Sequence, residues 1–349
     1  MSVTGFLDMQ TPAFNLLMLA LAGVAGASFA WPMKHFRGWR WEHVWIGQAL
    51  TSNLAFPLLA LVLLWPLFRG YPAEVPAGRF AVMIMLGMAW GLGGIGYGLC
   101  LVLLGLSFTY SVIFSVTTVF GALLPMWIGL RARPAHLVSF SLGLGLCVTG
   151  IAVIASAAAR REREASGQAD TSGILAMPVP QLSYKSSLLL AVLAGFFSAA
   201  MGLALVINED LLNHLVQCGV SSVVAPLIVW VPLGLGSALV SLVFGFWCAL
   251  RSASMRRFYQ SHPLRNWFLV SLMGVLGFGV LLLYGLGSTA SGHPPRNVSW
   301  AVYMAVYILA GNGIGLLTRE WEHCSPRTYM LLAAGIALLL GAIGSLAAS

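Results

Sequence analysis

Aromatic side chains recur at helical spacing inside long apolar stretches of this 349-residue chain. Trp90 and Tyr97 are seven residues apart, and Tyr303 and Tyr307 are four apart, so each pair lies on one side of a helix. Aromatic rings stack on the apolar faces of sugars, while phenol and indole groups hydrogen-bond the hydroxyls. The pattern indicates binding of a small hydroxylated molecule. For Trp300, near the end of the same stretch, an aromatic belt at the membrane surface is the alternative interpretation.

A stripe of hydroxyls follows one face of another apolar stretch, with Ser107, Ser111, Ser115 and Thr118 at helical spacing. Each hydroxyl can bond a carbonyl of its own helix, so helix packing explains the residues singly. A wall of a polar pathway explains the four together. Asn208 and Asn312 are identified as the amides nearest to membrane depth, where a buried amide needs a partner.

Glycines form a second stripe, because Gly87, Gly91, Gly94 and Gly98 fall on one narrow helical face. Missing side chains allow another helix or a ligand to approach the backbone. Close helix packing and a ligand groove remain alternative interpretations of this face.

Acidic side chains are absent from the middle of every apolar stretch. Proton-coupled transport usually uses an intramembrane carboxylate or histidine. The candidates here lie at the ends of stretches: Glu42 on one side, and Glu209 or its neighbour Asp210 on the other. A solvated helix end is the alternative for each.

The composition indicates a polytopic helical membrane protein, with 59% hydrophobic and 8% charged residues against roughly 25% charged in soluble proteins. Ten apolar stretches each reach the roughly 20 residues that cross a bilayer. These predicted spans 1 to 10 comprise residues 12–32, 43–66, 80–104, 107–130, 135–157, 186–208, 222–249, 266–287, 297–318 and 328–347.

The chain divides at its one long polar segment, which predicts a five-helix repeat over 1–158, a cytoplasmic linker over 159–185 and a second repeat over 186–349. Five is odd, so homologous halves would be inverted repeats. Tyr97-Gly98-Leu99 recurs as Tyr284-Gly285-Leu286, with Gly87 and Gly274 each ten residues earlier. Lys and Arg concentrate in the odd-numbered connections, which predicts that these are cytoplasmic and that both termini are periplasmic.

Several function classes find no support in the sequence. It has no Walker-type glycine loop, no HExxH or GxSxG motif, and no paired acids within a span, so we expect neither an ATP-driven pump nor an enzyme. The five scattered cysteines have no metal-ligand spacing. We expect no cofactor and no metal, and the basic charge reflects membrane topology rather than nucleic acid.

The run Trp90-Gly91-Leu92-Gly93-Gly94-Ile95-Gly96-Tyr97-Gly98-Leu99 resembles the L-rhamnose–proton symporter family of the drug/metabolite transporter superfamily. Four further motifs resemble the same family: Pro32-Met33-Lys34, Trp39-x-Trp41-Glu42-x-x-Trp45, Gly195-Phe196-Phe197-Ser198-Ala199 and Arg319-Glu320-Trp321. We interpret the tryptophans of the second motif as an aromatic belt at the membrane interface. The resemblance implies ten transmembrane helices as two inverted repeats, an inner-membrane location, and uptake of a deoxy sugar with a proton.

We therefore predict a secondary transporter of L-rhamnose or a related sugar, driven by protons. The predicted substrate-binding residues are Trp90, Tyr97, Ser111, Ser115, Tyr284, Tyr303 and Tyr307, and the predicted proton-coupling residues are Glu42 and Glu209. Glycine at positions 94 and 96, where that family has asparagine, favours the alternative of an exporter with a more apolar substrate. A sugar sensor or assembly scaffold is a third hypothesis. The sequence does not predict the oligomeric state.

Overall fold

The computed structural model describes residues 12–68, 75–129, 136–165, 182–221, 224–288, 296–319, 321–322 and 324–347. In these ranges helices are joined by turns and loops, and there is no strand. Nine helical segments there are long and apolar enough to cross a membrane. The apolar part of a tenth, 302–317, is shorter over the residues described. The expectation of an all-helical polytopic membrane protein is confirmed, and the count of ten spans stays a prediction.

The helices are numbered in chain order. They are α1 Pro12–Ser28, α2 Trp41–Gln48, α3 Phe56–Leu64, α4 Ala77–Leu104, α5 Leu106–Trp127, α6 Leu137–Ala165, α7 Tyr184–Ser198, α8 Ala200–Ile207, α9 Glu209–Gln217, α10 Leu227–Arg251, α11 Arg257–Gln260, α12 Pro263–Ser288, α13 Arg296–Leu317 and α14 Pro326–Ala347.

The second crossing is not a regular α-helix. Between α2 and α3, residues Ala49–Ala55 form a π-helix, which we call the π-segment. Pro57 follows it and has no N–H to donate to the carbonyl of Asn53, four residues earlier. The N–H of Phe56 bonds the carbonyl of Thr51, five residues back. Proline thus favours the wider turn, and π-helical turns often occur at functional sites.

The two halves of the chain are interleaved rather than side by side. Helix α4 packs on α7 and α10, and α12 packs correspondingly on α1 and on the π-segment. In the same way α5 packs on α7, and α13 packs on α1. Helices α5 and α13 contact each other, as do α6 and α14.

Glycines permit the closest of these crossings. A Cβ on Gly87 would lie 2.1 Å from the carbonyl oxygen of Leu233, and one on Gly236 would lie 2.0 Å from that of Ile84. Helices α4 and α10 therefore meet backbone to backbone, as small residues allow in membrane proteins. Part of the glycine stripe serves packing.

The odd-numbered connections meet on one face, which we call the odd face. Arg257 donates to the carbonyl of Gly38 at 3.0 Å, and Lys34 donates to Thr318 at 2.6 Å. On this face Arg161 also donates to the carbonyl of Leu104 at 2.8 Å. These bonds join connection 1 to connections 7 and 9, and connection 3 to connection 5, as an alternating series of crossings requires.

On this face Glu164 links helix α6 to helix α14 by hydrogen bonds. It accepts from the backbone N–H of Ser325 at 2.9 Å and from the hydroxyl of Thr328 at 3.0 Å, so it caps the N-terminus of α14. These bonds lower the pKa of the Glu164 carboxyl to about 2. Helix α6 thus continues to Ala165, so the linker predicted to begin at residue 159 starts as helix. Residues 166–181 of that linker lie outside the described ranges.

Candidate functional site

A cavity of about 140 Å³ lies where the helices of the two halves meet. It has room for roughly ten water molecules, which is the scale of one monosaccharide. Its lining comes from both halves: Gly26, Phe29, Trp45, Gln48, Ser52, Asn53, Trp90, Gly94, Tyr97, Ile113, Phe114, Thr117, Ser198, Met201, Ser237, Ser241, Gly277, Val280, Leu281, Trp300, Tyr303, Met304 and Tyr307.

Aromatic rings follow one another along this lining. Ring centroids are 6.4 Å apart for Trp45 and Tyr97, and 5.8 Å apart for Tyr97 and Phe114. The next step, from Phe114 to Tyr307, is 4.0 Å, and Tyr303 follows at 5.7 Å. We call these five residues the aromatic chain. Such rings offer flat apolar surfaces with polar edges, which suit a sugar ring.

Four of the predicted substrate-binding residues line the cavity: Trp90, Tyr97, Tyr303 and Tyr307. Trp300 joins them, rather than forming only part of an outer belt. Tyr284 lies behind the lining, with its ring 5.2 Å from that of Tyr303. The hydroxyl of Tyr97 donates to that of Tyr110 at 3.2 Å, which fixes its ring.

Two predicted substrate-binding residues, Ser111 and Ser115, lie outside the cavity lining. Ser111 accepts a hydrogen bond from the amide of Asn312 at 2.9 Å, which joins α5 to α13. Ser115 is 1% exposed, and neither serine is among the residues that line the cavity. Helix packing, the alternative interpretation of the hydroxyl stripe, fits Ser111, whereas the buried hydroxyl of Ser115 has no hydrogen-bond partner among the residues described. Thr117, which is not in the stripe, lines the cavity.

The sequence interpretation did not predict the two amide side chains that line the cavity. Gln48 and Asn53 are 7% and 6% exposed, and both line the cavity. The sequence interpretation singled out Asn208 and Asn312 instead, and neither of these lines the cavity. Asn208 instead bonds the carbonyl of Ala204 in its own helix, at 2.8 Å. The signal was available, because Gln48 and Asn53 both lie within predicted span 2, where a buried amide is costly without a partner.

The tryptophans that open span 2 are also not an interfacial belt. Trp39, Trp41 and Trp45 are 4%, 0% and 2% exposed, so they are buried in protein rather than in lipid headgroups. Trp41 and Trp45 stack with centroids 5.2 Å apart. Tryptophan suits both positions because it is large, apolar and has one polar atom, so the sequence pattern could not distinguish them.

Glycine 94 lines the cavity, whereas glycine 96 does not. A Cβ on Gly94 would meet only Trp45, at 3.9 Å, but one on Gly96 would lie 2.8 Å from Cβ of Ala194 on α7. Only the first position could carry a ligand-binding side chain. The amides of Gln48 and Asn53, on span 2, line the same cavity as Gly94.

Glu42 is buried at the odd face, with 0% exposure. Its Oε1 accepts from Arg40 at 2.8 Å and from Ser252 and Ser254, each at 3.0 Å. Within the described ranges its Oε2 has no hydrogen-bond partner. Since the two serines belong to the second half, this carboxylate links the halves. It does not line the cavity, but lies three residues before Trp45, which does.

Glu209 and Asp210 begin helix α9, which lies between α8 and α10 in the sixth connection. Asp210 accepts two hydrogen bonds from Arg79, an ion pair that joins connections 2 and 6. This pairing lowers the pKa of the Asp210 carboxyl. Neither residue lines the cavity. Among the residues described, no cluster of His, Cys, Asp and Glu could hold a metal.

These features define a multi-pass membrane protein with an aromatic and amide-lined cavity between its halves, the arrangement of small-molecule transporters. The sequence pattern of the L-rhamnose-proton symport protein family matches residues 12–347. The chain belongs to that family, as its sequence motifs predicted.

Curated relatives carry the same description. The L-rhamnose-proton symporter of Cronobacter sakazakii is 27% identical over 338 residues, covering 93% of this chain and 94% of that protein. Those of Klebsiella pneumoniae subsp. pneumoniae and Salmonella typhi are 28% and 27% identical, each over 92% of this chain and 93% of its relative. No solved structure matches the chain. Since these relatives bear symporter names, the comparisons do not favour the exporter alternative.

Proposed function

We propose that this protein takes up L-rhamnose together with protons across the bacterial inner membrane. The observation that carries the proposal is the cavity between the halves, whose aromatic and amide lining suits a monosaccharide, in a chain of the symport family over residues 12–347. Sugar, proton and lipid bilayer are its partners in this account.

In this proposal Trp90, Tyr97, Tyr303 and Tyr307 bind the sugar, and Tyr284 supports Tyr303 from behind. The two tyrosines of α13 belong to the second half, and Trp90 and Tyr97 to the first. A sugar held by both halves is released when the halves move relative to each other. Ser111 serves helix packing in this account, and Ser115 lies outside the cavity lining.

The ten crossings are proposed to form two inverted five-helix repeats, 1–158 and 186–349. The helix contacts support this, because equivalent helices of the two halves make equivalent contacts. Helix α4, the third crossing, packs on α10, the seventh, and α12, the eighth crossing, packs on the second. Gly87 approaches Leu233 of span 7, and its counterpart Gly274 approaches Thr51 of span 2. The odd face, rich in Lys and Arg, is proposed to be cytoplasmic, with both termini periplasmic.

Glu42 is the proposed proton site. A buried carboxylate that links the halves is suited to coupling, since protonation removes the charge that holds Arg40 and the two serines. Arg40, His43 and Cys248 are titratable or charged groups that interact with Glu42, and Arg257 and Arg251 interact in turn with His43 and Cys248. Glu209 is the second candidate, on the opposite face at the start of α9.

Uptake of labelled L-rhamnose into proteoliposomes tests the proposal. An imposed gradient, acid outside, should raise the initial rate and drive accumulation above the external concentration. An uncoupler should reduce uptake to equilibration. Absence of L-rhamnose uptake by folded, inserted protein would exclude this cargo, and uptake indifferent to the gradient would exclude proton coupling.

A further inference from the structure

The amides on the second crossing are placed together by the π-segment. Gln48 and Asn53 are five residues apart, which on an α-helix separates two side chains by about 140°. A π-helical turn closes from residue i to i+5 and so brings such positions to one face. Accordingly Gln48 Nε2 lies 3.5 Å from Asn53 Oδ1, and both side chains line the cavity.

Serine 237 on α10 extends this group. Asn53 donates to its hydroxyl at 3.0 Å, across the contact between the two halves. We call Gln48, Asn53 and Ser237 the amide cluster. Each amide can donate two hydrogen bonds and accept two, so one bond per donor group leaves each with capacity for a ligand. Ser241, one turn after Ser237, also lines the cavity.

One further polar atom on this crossing has no hydrogen-bond partner in the described part of the chain. Trp45 is 2% exposed and lines the cavity, and its indole N–H has no hydrogen-bond partner among the residues described. A buried donor without a partner is costly and calls for an explanation. Gln48, Ser52 and Asn53 therefore bring donors and acceptors to the lining of one cavity from one crossing, next to the ring of Trp45.

We propose that the amide cluster holds the ring hydroxyls of the transported sugar, with Gln48 and Asn53 as direct ligands and Ser237 as the residue that orients Asn53. The aromatic chain takes the apolar face of the same sugar. This inference rests on the proposed function and adds the residues that hydrogen-bond the hydroxyls of the sugar. Neutral amides suit this role because they both donate to and accept from hydroxyls and carry no charge that burial would oppose.

Sugar binding to the purified full-length protein in detergent tests the assignment without transport. Calorimetry measures dissociation constants for L-rhamnose and for analogues that each lack one ring hydroxyl. The wild-type protein is compared with Asn53→Ala and with Gln48→Met, which roughly keeps its volume and carries the same test should Asn53→Ala fail to fold. Thr51→Val is the matched control, because Thr51 lies on the same π-segment but bonds the carbonyl of Val270 at 3.2 Å, away from the cavity.

We expect Asn53→Ala to weaken L-rhamnose binding about tenfold, the effect of one lost hydrogen bond. Wild type should bind one deoxy analogue about tenfold less tightly than L-rhamnose. Asn53→Ala should bind that analogue and L-rhamnose equally, because the variant lacks the amide and the analogue lacks the hydroxyl of the same hydrogen bond. Thr51→Val should bind L-rhamnose as wild type does.

The assignment would be overturned if, for every analogue, the loss of affinity from the substitution added to the loss from the missing hydroxyl. Unchanged L-rhamnose binding in Asn53→Ala and Gln48→Met would also overturn it, and either result leaves the proposed function intact. A wild-type protein that binds no L-rhamnose contradicts the proposed function and this assignment together.

Discussion

Replacing Gly87 by alanine should destabilise the protein, whereas the same change at Gly94, on the same face of α4, should not. A Cβ at position 87 would lie 2.1 Å from the carbonyl oxygen of Leu233. It must retreat by about 0.9 Å to reach 3.0 Å, below which such contacts essentially never occur. The obstacle is helix backbone, so no side-chain rotation relieves it.

Overpacking of this kind costs about 1–3 kcal/mol. Alanine also favours the helix over glycine by roughly 1 kcal/mol, but this gain is the same for both variants and cancels between them. At position 94 the nearest atom, on Trp45, would be 3.9 Å away, an ordinary contact. The two variants should therefore differ by about 1–3 kcal/mol in free energy of unfolding.

Unfolding in mixed micelles, followed by circular dichroism, measures this difference. Gly236→Ala repeats the test from the opposite helix, because its Cβ would lie 2.0 Å from the carbonyl oxygen of Ile84. If Gly87→Ala unfolds at the same denaturant concentration as Gly94→Ala, then α4 and α10 do not cross as closely as described, and the reasoning is refuted.

Three further changes test the cap on α14, the proton site and the aromatic chain. The pKa of the Glu164 carboxyl is lowered from 4.5 to about 2, so its stabilisation is present above about pH 4.5 and lost as the pH falls through about 2. Thermal melting should show Glu164→Gln less stable than wild type at pH 6, with the difference shrinking steadily as the pH is lowered to about 2. Glu42→Gln should uncouple sugar uptake from the proton gradient while L-rhamnose still exchanges across the membrane, and Glu322→Gln, an exposed acid beyond α13, should leave coupling intact. Tyr307→Leu should weaken L-rhamnose binding roughly tenfold by removing a ring of the aromatic chain, as calorimetry would show.

Each of these has a contradicting result. A Glu164→Gln variant whose melting temperature differs from wild type equally at every pH would exclude titration of that carboxyl as the cause. Uptake that still responds to the gradient in Glu42→Gln would move the proton site, with Glu209 the next candidate. Wild-type affinity in Tyr307→Leu would place the sugar away from the aromatic chain.

The helices were predictable because a membrane span is defined by apolar length, which the sequence states directly. Span 3, expected over 80–104, is the helix Ala77–Leu104, and span 10, expected over 328–347, is Pro326–Ala347. The π-segment was not predictable in the same way, because composition does not report helical pitch. Pro57 was the sole local hint of it.

The candidate site was predictable only in part, because periodicity gives the face of a helix but not its neighbour. Tyr303 and Tyr307 line the cavity, whereas Ser111, on a stripe of similar helical spacing, bonds Asn312 instead. The glycine stripe divides for the same reason, with Gly87 against a helix and Gly94 at the cavity. Gln48 and Asn53 were overlooked as isolated polar residues in an apolar span, although burial of amides is the stronger signal.

The most direct test of coupled transport is proton movement driven by the sugar alone. Proteoliposomes with a pH-sensitive dye inside, and equal pH on both sides, receive an inward gradient of L-rhamnose. Because coupling is reciprocal, a symporter must acidify the interior as the sugar enters. The account predicts this acidification, and its loss in Glu42→Gln. Sugar entry by the wild-type protein without any change of internal pH would contradict proton symport.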